Sequence, residues 1–111
     1  MGDRQKELDS LQLAVAHAVE PLGRVTLATP YKSLRRVTVE HPLGATVRLV
    51  ISGEFRGRCY LISVLKIQDD FNQKLTYVDN HTFRGVPAES PDLSPLVARV
   101  REALDVLIEQ A

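Results

Sequence analysis

Apolar residues recur every third or fourth position at the two ends of this chain and every second position between them, and that switch of period constrains the fold more than any other feature. From Lys6 to Leu22 the residues Leu8, Leu11, Val15, Ala18, Val19 and Leu22 fall on one side of a helix, which predicts an amphipathic helix over about 4–20. Pro21 and Gly23 stop it, since proline disfavours helical geometry in the residue before it and glycine accepts the turn that follows. Near the other end Leu96, Val97, Val100, Ala103, Leu104, Leu107 and Ile108 form a second stripe. Ser94 is expected to cap that helix, with Pro95 at its first position, where a missing N–H is harmless.

The middle of the chain reads as strands. Val25 and Leu27, then Val37 and Val39, then Val47, Leu49 and Ile51 alternate with polar residues, and His41-Pro42-Leu43-Gly44 supplies a reversal between the second and third runs. Gly53-Glu54-Phe55-Arg56-Gly57 marks another turn, and Cys59 to Leu65 is apolar at almost every position, as in a central strand. Leu75, Tyr77 and Val78 suggest a further, ragged strand. The expected fold is α+β: an N-terminal helix, an antiparallel β-meander of about five strands and a C-terminal helix, as a two-layer α/β sandwich and a single domain over 1–111. This element order resembles that of RWD-like interaction domains, although the Tyr-Pro-x-x-x-Pro turn of those domains is absent and the resemblance transfers no residue.

Composition narrows the functional classes. The chain is 44% hydrophobic and 25% charged, which fits a globular domain, and no apolar run reaches the roughly 20 residues that cross a bilayer. No membrane association is expected, and a charged N-terminus with a lone cysteine, Cys59, points to a reducing, cytoplasmic setting. Fourteen basic and fourteen acidic residues cancel overall, yet the charges are segregated. Residues 24–58 hold seven cations against Glu40 and Glu54, a net +5, whereas residues 1–23 and 79–111 are acidic.

Residue patterns that carry chemistry are sparse. His17 has no ligand-spaced companion, and a cluster of Asp79, His81 and His41 is the nearest approach to a metal or small-molecule site; the turn-forming habit of Asp and Asn explains it as well, so no metal and no cofactor are expected. Asp69 and Asp70 are adjacent, so their carboxylates diverge instead of pairing for acid–base work. Cys59 lies among apolar neighbours that oppose thiolate formation, and Gly53-x-x-x-Gly57 lacks the lysine and following helix of a phosphate loop. A catalytic role is therefore not expected.

Two surfaces remain. Val50, Tyr60, Ile62 and Val64 are expected to form an apolar patch on the sheet face away from the helices, which a homodimer or another protein would cover. Arg36, Arg48, Arg56 and Arg58, with Arg24 and Lys66 nearby, are expected to make a basic surface on which Tyr60 could stack a base. The leading expectation is a non-enzymatic, self-associating protein-interaction module using its sheet face or edge. A nucleic-acid-binding module using the arginine-bearing strands is the alternative, and a small-molecule-binding protein or enzyme with a pocket around Asp79, His81 and His41 is the third reading.

Overall fold

Both terminal stripes fold as helices, and the alternating centre folds as one antiparallel sheet between them. The computed structural model describes residues 2–53, 59–69, 74–75, 81–87 and 92–110. Helix α1 spans Gly2–Val19, and a single 3₁₀ turn, Glu20–Leu22, follows it. The strands are β1 (Arg24–Tyr31), β2 (Leu34–Glu40), β3 (Thr46–Gly53), β4 (Cys59–Asp69), β5 (Lys74–Leu75) and β6 (His81–Pro87), and helix α2 spans Ser94–Gln110.

Strands β1 to β4 form the expected meander, each antiparallel to the next. Beyond β4 the simple order stops: the two-residue β5 pairs with one end of β4 and β6 pairs with the other. The expected fifth strand is therefore divided between two segments on the far side of β4.

The register decides which side chains meet the helices. Val37 lies opposite Leu49, Val39 opposite Val47, Leu49 opposite Val64 and Ile51 opposite Ile62. Directly opposed residues share a face, so these rows form one apolar surface. Against it pack Leu8, Leu11, Val15 and Val19 of α1 and Leu96, Val100, Ala103, Leu104 and Leu107 of α2, all in one buried cluster. Both helices thus cover the same side, because each has a single apolar stripe and this is the face that matches it.

Gln12, Arg35 and Tyr60 enter this side, and each meets a partner. The buried Gln12 of α1 donates from Nε2 to the carbonyls of Ala28 and Arg36, both at 3.0 Å, beside the irregularity that breaks the β1–β2 register between Ala28 and Tyr31. Arg35 shares its column with Val37 and Val39 and is buried. Its Nε donates to the Asp9 carboxylate at 2.6 Å, and its Nη1 donates to the carbonyls of Tyr31, Lys32 and Leu34 at 2.9–3.2 Å. One guanidinium therefore closes the β1–β2 turn and ties it to α1. Tyr60 donates its hydroxyl to Glu7 of the same helix.

Two glycines have specific work. A Cβ on Gly23 would sit 2.5 Å from the Glu40 carbonyl oxygen, so only glycine lets the chain leaving α1 run against the end of β2. Gly44 adopts φ +96° in the β2–β3 turn, where its N–H donates to the His41 carbonyl at 2.9 Å. Helix α2 begins one step earlier than expected. The Leu93 carbonyl accepts from Val97, and the Asp92 carboxylate, in place of the Ser94 hydroxyl, caps the first turn by accepting from the Ser94 N–H at 3.1 Å.

Candidate interaction surface

With both helices on one side, the other side of β2, β3 and β4 is, among the described residues, left to the side chains of the strands. Its rows follow from the register: Leu34 with Ser52 and Leu61, Arg36 with Val50 and Ser63, Thr38 with Arg48 and Leu65, and Glu40 with Thr46. Most of these positions are half-buried; Leu65 and Thr46, toward the β5 end, are buried, and Glu40 is exposed. We refer to this as the open face.

The expected apolar patch is corrected by this geometry. Tyr60, Ile62 and Val64 are 2%, 0% and 1% exposed and belong to the core under the helices, whereas Val50 is half-buried on the open face opposite Ser63. The four do not share a surface. Strand β4 is apolar on both sides between Tyr60 and Leu65, so alternation alone leaves its phase undetermined, and pairing with Ile51 sets it. The apolar members of the open face are instead Leu34, Val50, Leu61 and Leu65.

The basic surface is brought together in part. Arg36 and Arg48 lie on adjacent strands in neighbouring rows, so they are diagonal neighbours on the open face. Neither has a hydrogen bond or ion pair among the described residues, and the Nε of each is buried without a partner. Burial, reinforced by the charge of Arg36, holds the Arg48 guanidinium below the ordinary arginine range. Glu40, the acidic residue in these rows, lies opposite Arg24 in the β1–β2 register. Arg56 and Arg58 lie outside the described residues, and Lys66 is described as backbone only, opposite Val47. Tyr60 does not join the arginines, since it turns toward α1.

The histidine–aspartate cluster lies largely outside the described residues. His41 belongs to the β2–β3 turn, where its Nδ1 accepts from the Leu43 N–H at 3.1 Å, and His17 is an exposed neighbour of Glu20 on α1. Asp70 and Asp79 lie outside the described residues, and Cys59, Asp69 and His81 are described as backbone only. Among the described residues no group of three or more His, Cys, Asp and Glu is placed to hold a metal ion, and no helix is long and apolar enough to cross a membrane.

Two open grooves lie among the described residues. One, ≈ 360 Å³, runs between α1 and the edge strand β1 past Leu13, His17 and Leu27, where Leu13 and Leu27 are 53% and 42% exposed. The other, ≈ 540 Å³, lies by the start of α2 and includes Ala18, Leu93 and Arg101. Neither gathers a set of convergent polar groups of the kind that orients a small substrate. No family model, curated protein or solved structure matches the chain.

Proposed function

We propose that the chain is a non-enzymatic protein-interaction module whose working surface is the open face of its sheet. One observation carries this reading. Both helices pack on one side, so half-buried Leu34, Val50 and Leu61, and Arg36 and Arg48, which have no partner among the described residues, are arrayed together on the other. Apolar residues beside arginines whose Nε groups are buried without a partner match the composition of protein interfaces, where apolar contact and arginine are combined. The lone Cys59 and the neutral composition favour a reducing, cytoplasmic setting for it.

A nucleic-acid partner is the second reading, favoured by the same two arginines. It loses the stacking aromatic expected beside those arginines, because Tyr60 is buried on the helix side.

Photo-crosslinking distinguishes the readings. A benzophenone amino acid is placed at Val50 on the open face, or at the exposed Asp105 of α2, in the cells the protein comes from. The adducts are then identified by mass spectrometry. A defined protein adduct at 50 and none at 105 is the expected result. Nucleic-acid adducts at 50 would favour the second reading, and equal labelling at both positions would refute an interface on the sheet.

A further inference from the structure

Building on that reading of the open face, we propose that its occupant is an acidic, partly apolar segment of another protein, whose carboxylates seat on Arg36 and Arg48 while its apolar side chains meet Val50 and Leu61. The placement of the two guanidiniums is the first support. They are diagonal neighbours on β2 and β3 without a partner among the described residues, and the Nε of each is already buried, so part of the desolvation needed for binding has occurred in the unbound chain. The adjacent Arg35 shows the contrast, with its donors taken by Asp9 and backbone carbonyls. A carboxylate at Arg36 and Arg48 would form charge-assisted hydrogen bonds and remove the mutual repulsion that helps to depress Arg48.

The other occupants fit less well. A second copy stacked by a twofold axis would bring two more guanidiniums onto the pair, and the acid it offers in these rows is Glu40, which already lies opposite Arg24. Single-stranded nucleic acid is held by aromatic platforms along a continuous basic track. Among the described residues the open-face rows of β2, β3 and β4 carry no aromatic residue, and the two arginines are flanked by Leu34, Val50 and Leu61.

Fluorescence anisotropy with the full chain tests the proposal. The probes are labelled synthetic peptides of alternating Glu and Leu or of alternating Gln and Leu, and a labelled oligothymidylate of similar length. The Glu–Leu peptide should bind most tightly, weaken as salt rises, and lose about ten-fold or more in affinity against the Arg36→Gln/Arg48→Gln double variant, ten-fold being about 1.4 kcal/mol. Among the described residues neither guanidinium has a bond for that variant to break, so circular dichroism should show an intact fold. Equal binding of the Glu and Gln peptides, abolished by Val50→Asp, would overturn the acidic partner while leaving the open face as an interface. No peptide binding at all would overturn both, and tighter binding of the oligothymidylate would overturn the proposal in favour of nucleic acid.

Discussion

Arg35 and Arg36 are consecutive in sequence, and replacing each by methionine should move stability in different directions. Methionine keeps much of the aliphatic stem and removes the charge and the donors. At Arg35 it would take away the contact to Asp9 and those to the carbonyls of Tyr31, Lys32 and Leu34. Hydrogen bonds from a charged donor contribute about 1.5–3 kcal/mol each, but Asp9 is 59% exposed and rehydrates, and contacts sharing one guanidinium do not add. A net loss of about 3 kcal/mol follows. At Arg36 no bond to the described residues is lost. Two unit charges about 7 Å apart repel by about 0.6 kcal/mol at the dielectric of bulk water and by about 2.4 kcal/mol at that of a protein surface, so Arg36→Met should leave stability unchanged or raise it by up to about 2 kcal/mol. Arg48 has the same sign: with its folded pKa lowered by burial and by Arg36, its charge opposes folding at every pH below that value, and Arg48→Met should not destabilise. Urea unfolding measures the difference. With a slope of about 1.5 kcal/mol per molar, Arg35→Met shifts the midpoint down by roughly 2 M, while Arg36→Met holds or raises it. A comparable loss in Arg36→Met would mean that this arginine has a structural partner, and would refute the view of the open face as a surface with unmet charge.

Other positions test the fold that presents that surface. Gly23→Ala sets a methyl group 2.5 Å from the Glu40 carbonyl oxygen, against backbone that cannot swing away, and should cost about 1–3 kcal/mol, read as a fall in melting temperature. Gly44→Ala meets no atom within 4 Å but retains φ +96°, so its loss should be confined to about 1 kcal/mol of backbone strain. Gln12→Leu removes the donor shared by the Ala28 and Arg36 carbonyls and should cost about 1–3 kcal/mol, with faster amide exchange in β1 than in β3. Asp92→Ala uncaps α2 and should cost about 0.5–2 kcal/mol, whereas Ser94→Ala, at a hydroxyl that does not supply the cap, should change little.

Much of this architecture can be read from residue order, and the failures have identifiable causes. The stripes led by Leu11 and Val100, and the alternation through Val37 to Ile51, show period and therefore element type directly. What alternation does not encode is the phase between strands across a turn. Val50 is apolar between apolar Leu49 and Ile51, and Leu61 and Leu65 are apolar on the opposite parity to Ile62 and Val64, so either side of β3 and β4 can be taken as the core side. The choice is made by two helices that both need an apolar partner, a tertiary cause. Arg35 was legible in principle, since it occupies a column otherwise filled by Val37 and Val39 and an arginine there requires buried acceptors. The cap of α2 shifted from Ser94 to Asp92 because both residue types accept from a first-turn amide, and backbone geometry chooses between them.

The two faces of the sheet then differ in how their polar groups are treated, and shortage of acid does not account for it. Fourteen acidic residues are present, and several are set against cations or donors elsewhere: Asp9 beside Arg35, Glu102 beside Arg99, and Glu7 at the Tyr60 hydroxyl. On the helix side every intruding group described above, Gln12, Arg35 and Tyr60, meets a partner. On the open side, exchange of Thr38 or Ser63 for glutamate would place a carboxylate in a row adjoining Arg36 or Arg48 without disturbing the core, yet those positions hold uncharged residues. Local departures from the rule that polar groups are matched are expected where a protein binds something, because the missing partner arrives from outside. By the same logic Thr38→Glu should stabilise the isolated chain modestly, by about 0.2–1 kcal/mol, and weaken its affinity for an acidic peptide. A substitution that gained stability without affecting that binding would show that the two guanidiniums are surface charges with no part in recognition.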